Sequence, residues 1–380
     1  MTLLHPLLVL GTRPEAIKMA PIVAACRARA GEIEPLICLT GQHDEMLRQV
    51  TDYFEIEPDF DLKVMSPGQT LAQLTAKCLL ALDEAIATAR PDCVVAQGDT
   101  TSVLAASLAA FYRRVPFVHV EAGLRTRNLS APWPEEFNRR VAGVSTALHC
   151  APTPRAAENL RLEGVPAHQI HVTGNTVIDA LMATLAREQK NDARWQTKYD
   201  WLTDRDLVLV TVHRRENHGG PLTGICAAIA DLAAEFPGTA FLLPVHPNPQ
   251  VQEIVRRRLG EIDNLQLTPP LAYPEFVWLM QRSKLIVSDS GGIQEEAPSL
   301  QRPVVALREA TERCEAVDAG AVVCVGSSAE QIRKTVRQLL TDADAYQAMQ
   351  IDRSPFGDGH AAERIVEWML ESFRVQAAAA

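Results

Sequence analysis

What this sequence lacks narrows it first. No stretch reaches the roughly 18 consecutive apolar residues of a membrane helix. The apolar start, Met1–Leu10, has no basic segment and runs straight into a strand–turn pattern, so neither a membrane span nor an export signal is expected. Positive charge is not in excess: 47 acidic residues stand against 37 basic ones, interspersed, for a net charge of −10. That balance argues against a nucleic-acid or anionic-membrane binder and still allows a local basic pocket. The eight cysteines form no C-x-x-C pair and several sit in apolar runs, as free thiols in a reducing cytoplasm do. There is no internal repeat, and no low-complexity segment beyond Ala377–Ala380, which is expected to fray. G-x-G-x-x-G, P-loop, serine-elbow and Cys–His signatures are all missing, so dinucleotide binding, nucleoside-triphosphate binding and acyl transfer have no motif to rest on.

What is present is a regular alternation. At 380 residues the chain exceeds the size at which a single core keeps growing, so two domains are expected. Leu7–Leu10 is followed by a helical pattern over Lys18–Arg29, Leu36–Leu39 by His43–Phe54, and Cys93–Ala96 by Thr101–Tyr112; Phe117–Val120 ends in polar Glu121–Asn128. A second series offers strands at Leu207–Val212, Ala240–Pro244, Leu285–Val287, Pro303–Leu307 and Ala321–Val325. The runs are continuous, which predicts strands buried on both faces of parallel sheets in doubly wound α/β domains. The first domain is expected over 1–173, joined by a returning C-terminal helix in 361–380, and the second over 174–360. The polar stretch Glu188–Asp206 reads as a surface helix and loop of the second domain.

Ligands of such sheets sit beyond the carboxyl ends of the strands, so the residues after each apolar run carry the argument. Gly11-Thr12-Arg13-Pro14-Glu15 follows the first run, with Lys18 one turn on; the helix start and two cations suit an anion. Gln97-Gly98-Asp99-Thr100 follows another. Asp99 reads equally as a helix cap, Glu121 as a partner of Arg125, and Glu135 as a first-turn acid pairing with Arg139. Together, three acids on neighbouring strand ends would crowd carboxylates into one place, raise some of their pKa values and suit acid–base work. In the second half, His213-Arg214-Arg215-Glu216 sets an imidazole beside two guanidiniums. His213 and His246 lack ligand-spaced partners, so no metal is expected. Asp289-Ser290-Gly291-Gly292 lets backbone N–H groups approach a phosphate, Glu296 is placed to accept from a sugar diol, and Arg313 lies in a later loop.

Gly11–Lys18, Gly98–Thr101, His119–Thr126, Pro132–Glu136, His213–Glu216 and Asp289–Pro298 together, in this order, resemble bacterial non-hydrolysing UDP-N-acetylglucosamine 2-epimerase, with the match running from about residue 7 to about 370. The resemblance implies the glycosyltransferase-B arrangement, two doubly wound domains facing across a cleft, commonly as a homodimer. It implies reversible conversion of UDP-N-acetylglucosamine to UDP-N-acetylmannosamine through a 2-acetamidoglucal intermediate, with no metal and no nicotinamide cofactor. Carried over position by position, Arg13, Lys18, Leu271, Phe276, His213, Ser290, Gly291, Gly292, Glu296 and Arg313 would bind the UDP moiety. Asp99, Glu121 and Glu135 would surround the sugar, and His213 would help the leaving group. Cys314 and Ser130 depart from the pattern, where Pro and an aromatic residue are usual. Near Gln42, Glu45 replaces one glutamine of the second, allosteric substrate site of the Gram-positive type, so that control is not carried over. Rival readings are a UDP-sugar glycosyltransferase, a hydrolysing epimerase, a sugar-binding protein without catalysis, and a sibling epimerase acting on a UDP-diacetamido uronic-acid sugar.

Overall fold

The apolar runs of the first series become strands with little or no solvent contact: Pro6–Leu10 (β1), Leu36–Leu39 (β2), Phe60–Asp61 (β3), Cys93–Gln97 (β4), Phe117–Val120 (β5), Thr146–Ala151 (β6) and Ile170–Val172 (β7). Only the edge strands β3 and β7 break that rule. The second series supplies Leu207–Thr211 (β8), Ala240–Pro244 (β9), Leu265–Thr268 (β10), Leu285–Ser288 (β11), Val304–Ala306 (β12) and Val322–Cys324 (β13). The computed structural model describes residues 3–41, 44–214, 217 and 219–377, with the backbone alone at 44–45 and 374–377. Two compact units divide the chain: one reaches to Ala180 and resumes at Phe356, and the other is Leu181–Pro355.

Each unit is a parallel sheet with helices between its strands. The first sheet has the order β3-β2-β1-β4-β5-β6-β7 and the second β10-β9-β8-β11-β12-β13. Both are doubly wound α/β units, the fold class expected. In each, the strand order reverses once, beside β1 and β4 in the first and beside β8 and β11 in the second. Such a reversal opens a crevice at the carboxyl ends of the two strands.

Sequence reading misses β3, β6 and β10. A two-residue edge strand carries no pattern, Thr146 and His149 interrupt the apolar character of β6, and β10 alternates because it lies at a sheet edge. It also leaves unassigned the helix Leu71–Ala89. That helix is opened by a capping box, with Gln73 N donating to Thr70 Oγ1 at 3.3 Å and Thr70 N to Gln73 Oε1 at 2.8 Å. It buries the stripe Leu74, Cys78, Leu82, Ala85 and Ile86. The polar stretch Glu188–Asp206 holds a short helix, Asp192–Lys198, and is not merely surface. It buries Trp195, Tyr199 and Leu202, and the Tyr199 ring stacks on Trp278 at 5.7 Å.

The two units part inside the helix Thr176–Glu188, whereas the sequence places the boundary at 173–174. Two bonds explain why the first turn stays with the first unit: Asn175 N donates to Phe356 O at 2.7 Å, and Ala362 N donates to Asp179 Oδ1 at 2.8 Å. The same bonds bring Phe356 into that unit, ahead of the expected 361. All eight cysteines are free thiols, six of them buried. Among the described residues no helix is long and apolar enough to cross a membrane.

Candidate active site

In the first unit the predicted residues Arg13, Lys18, Asp99 and Glu121 follow the strands β1, β4 and β5. Gly11 ends β1 where a Cβ would lie 2.3 Å from Ser102 Oγ, so a side chain there would push β1 away from the helix after β4. The helix Arg13–Ala28 begins at once, with Arg13 in its first turn, and carries Lys18 inward. Lys18 Nζ donates to both oxygens of Glu121, at 2.8 and 2.7 Å. Lys18 was expected on the UDP; here its amine is engaged by a buried carboxylate. Glu121 was weighed as a partner of Arg125, but Arg125 reaches Glu163 at 2.8 Å instead. Glu121 itself stands just past β5 at φ 62°, a left-handed conformation that costs a side-chain-bearing residue about 1–3 kcal/mol and concentrates at functional sites.

Asp99 sits two residues beyond β4. Arg139 donates to its Oδ2 at 2.5 Å, and Asn138 Nδ2 donates to its backbone oxygen at 2.9 Å. Both partners lie on the helix Glu135–Ser145. The Glu135–Arg139 pair suggested by i, i+4 spacing therefore does not form: Arg139 faces Asp99 and, at 3.4 Å, Glu136. Glu136 is fully buried and accepts from Thr126 N and Arg127 N, holding the loop ahead of the helix. Glu135 is half-buried at the helix start.

Crowding of the three acids was expected to raise their pKa values. The carboxyl pushed up here is Glu15, to about 7, chiefly because it is buried; hydroxyls of Thr12 and Thr100 pull the other way, and the Asp99 charge adds to the rise. His119, also buried, is held near 4, first by desolvation and then by Arg125, against a backbone bond that favours its charge. A neutral ring bonds Gly98 O through Nε2 at 2.7 Å, which requires the proton on Nε2 and steadies the turn carrying Asp99. Gln97 and His119 carry no role on sequence grounds, and Arg139 only that of a partner for Glu135. Their partners lie on other strands and helices, and no local pattern announces them.

In the second unit the loop after β8 and the loop after β11 meet through Asp289. This side chain has no solvent contact. It accepts from His213 N at 3.1 Å, Arg214 N at 2.9 Å and Asn217 Nδ2 at 2.9 Å. His213 Nδ1 lies 3.1 Å from Asp289 Oδ1, so the ring carries its proton on Nδ1 and turns Nε2 outward. Ser290 N donates to Ser288 Oγ at 2.9 Å and starts the turn into Gly291 and Gly292. A Cβ at Gly291 would sit 3.0 Å from Arg313 Cζ; glycine leaves that space to the guanidinium. Arg313 donates to Glu295 at 2.9 Å and pairs with Glu312. Burial alone would raise the Glu312 carboxyl, but the guanidiniums of Arg313, Arg308 and Arg214 outweigh it and hold it near 2. Glu296 accepts from Tyr273 Oη at 2.8 Å. Leu271 and Phe276, both half-buried, lie in the segment before the helix Tyr273–Arg282 and on that helix.

The structure thus joins Lys18 with Glu121 in one unit, and His213, Ser290–Gly292 and Arg313 around Asp289 and Glu312 in the other. His246 caps a turn, its Nδ1 accepting from Asn248 N at 3.2 Å. Arg215, Glu216 and Gln42 lie outside the described residues, as do the side chain of Glu45 and the tail 378–380.

Comparison with known proteins bears directly on this geometry. A family model described as UDP-N-acetylglucosamine 2-epimerase matches residues 24–370. The curated UDP-N-acetylglucosamine 2-epimerase of Yersinia pestis is 48% identical over 365 residues, covering 95% of this chain and 97% of that protein. A crystal structure of UDP-GlcNAc 2-epimerase from Neisseria meningitidis bound to UDP-GlcNAc matches with a TM-score of 0.93 at 44% identity, over 97% of this chain and 100% of that one. The Methanocaldococcus jannaschii UDP-GlcNAc 2-epimerase, in complex with UDP-GlcNAc and UDP, matches with a TM-score of 0.85 at 32% identity, over 97% of this chain and 100% of that one.

Proposed function

The chain belongs to the UDP-N-acetylglucosamine 2-epimerase family, and we propose that it inverts C2 of UDP-N-acetylglucosamine by eliminating and re-adding UDP. The C2 proton has no carbonyl carbon beside it and is barely acidic. Breaking the C1–O bond builds positive charge next to it, so a carboxylate can remove the proton as the electron pair leaves with UDP. The products of that half are 2-acetamidoglucal and UDP. Re-addition of UDP at C1, with a proton delivered to the other face of C2, gives UDP-N-acetylmannosamine. The net change is redox-neutral.

Two faces of one carbon require two proton carriers. The observation that carries the reading is the pair of carboxylates at the ends of adjacent strands, Asp99 beyond β4 and Glu121 beyond β5, each with its own cation in Arg139 and Lys18. A carboxylate held by hydrogen bonds in this way is aimed at a fixed position, which suits it to proton transfer. Glu135 is the third candidate. On the UDP side, Arg13, His213, the Ser290–Gly292 backbone and Arg313 meet the charge developing on the diphosphate, and a lost donor of this kind costs about 3–4 kcal/mol of transition-state stabilisation. Glu296 accepts from the ribose, and Leu271 and Phe276 lie on the uracil side. The reading places the enzyme in the cytoplasm and makes it a homodimer. In support of the dimer, neighbouring helices of the first unit leave Leu80, Phe111, Tyr112 and Val144 in solvent, at 62–89% exposure.

NMR of UDP-N-acetylglucosamine in D₂O tests the reaction. The wild-type protein is expected to incorporate deuterium at C2 and form the epimer together. Asp99→Asn and Glu121→Gln are expected to bind UDP and lose the exchange. Wild-type exchange in both variants would overturn the carboxylate assignment.

A further inference from the structure

One buried polar side chain of the first unit has no part in the scheme so far. Gln97 closes β4 at 4% exposure, and its register partner is Val120, the last residue of β5. Gly98 N donates to Val120 O at 3.0 Å, so the two strand ends are tied where the chain turns into Glu121. Gln97 Nε2 donates to Glu121 Oε2. Lys18 reaches the same carboxylate from the helix that follows β1. Because β1, β4 and β5 are consecutive in the sheet, donors attached to two of them hold the group attached to the third.

The two donors do different work. An ammonium on a four-carbon stem is a point charge with three rotatable hydrogens; it neutralises the carboxylate without setting its direction. The Gln97 amide is planar, neutral and carried by a strand end with almost no freedom, and hydrogen bonds weaken steeply as they bend. A group that removes a proton must lie within about 2.6–3.2 Å of its target, and misplacing it by about 1 Å costs on the order of a hundredfold. The left-handed backbone at Glu121 means that chain direction alone does not hold the side chain at ease.

We infer that Gln97 is a positioning residue for the C2 chemistry: its amide aims the Glu121 carboxylate that Lys18 neutralises. The inference rests on the reading that Glu121 acts at C2. Gln97→Met keeps the volume and removes the donor. It is expected to lower kcat and the rate of C2 deuterium exchange together by about tenfold, the change that one hydrogen bond to a charged group implies, with KM within about twofold. In a Glu121→Asp background, where the carboxylate retreats by one methylene, Gln97→Met is expected to add almost nothing, because the contact it removes is already gone. If Gln97→Met yields no folded protein, Gln97→Glu serves: it keeps the shape, replaces the donor by a second acceptor facing Glu121, and is expected to lose more activity than Glu121→Asp. Unchanged kcat in the folded Gln97 variants, or the same loss in the wild-type and Glu121→Asp backgrounds, overturns the inference. Wild-type C2 exchange in Glu121→Gln overturns the underlying reading instead, whatever Gln97 does.

Discussion

Glu15 stands two residues past Arg13, fully buried, with Thr100 Oγ1 donating to one oxygen at 2.7 Å and the other oxygen without a partner. Burial pushes it up to about 7 from an ordinary 4.5, against the hydrogen bonds of Thr12 and Thr100. The consequence for stability has a definite sign. A carboxyl that is neutral when folded and ionised when unfolded makes its full contribution below about pH 4.5, and loses it as pH rises to about 7. The loss amounts to about 3 kcal/mol over that window. Glu15→Gln keeps the acceptor for Thr100 and cannot ionise. Its melting temperature relative to wild type is expected to climb between pH 4.5 and 7.5, read by scanning calorimetry. A flat difference would mean that Glu15 ionises in the fold much as it does in the unfolded chain. That Glu15 and Glu121 differ was not legible in the sequence. Both follow apolar runs, and what sets Glu121 apart is its contacts with Lys18, 103 positions away, and with Gln97.

At the scale of elements, the loop after β8 is built by a residue of another strand end. Asp289, just beyond β11, accepts the N–H groups of His213 and Arg214 and orients the His213 ring. Asp289→Ala is expected to leave those donors without their buried acceptor, to cost about 2 kcal/mol of stability, and to weaken UDP binding by at least about tenfold. Calorimetric titration with UDP checks the second effect. Unchanged affinity would show that the loop holds its shape without the carboxylate. The sequence placed both loops beyond strands, because continuous apolar runs are visible without partners. It read Ser290–Gly292 as a turn for the same reason, glycine being a local signal. It did not show that Asp289 joins the two loops, which requires β8 and β11 to be neighbours.

On the scale of the whole molecule, each unit closes its own core around a parallel sheet, and the chain crosses from one to the other within the helix Thr176–Glu188. Among the large apolar side chains that the first unit leaves in solvent are Leu80, Phe111 and Tyr112, on its packed helices Leu71–Ala89 and Thr101–Tyr112. Large apolar groups exposed on neighbouring helices are consistent with an interface. The proposed homodimer is expected to sediment as a single species of twice the protomer mass, and Phe111→Glu combined with Tyr112→Glu to shift it to the protomer. A wild-type protein that sediments as a monomer would remove the dimer from the reading.

Taken by itself, the sequence determined the two-unit α/β architecture, the positions of most strands and the residue types at their carboxyl ends. Hydrophobic burial acts along the chain, with a period and length that a single segment displays. The tertiary structure alone decided which charge answers which. Lys18 meets Glu121, Arg139 turns from Glu135 to Asp99, and Arg125 from Glu121 to Glu163. Such pairings depend on strand order, because it decides which helix brings its cation to which carboxylate. The placement of Asp99 and Glu121 as the two proton carriers proposed for C2 therefore depends on β1, β4 and β5 lying side by side.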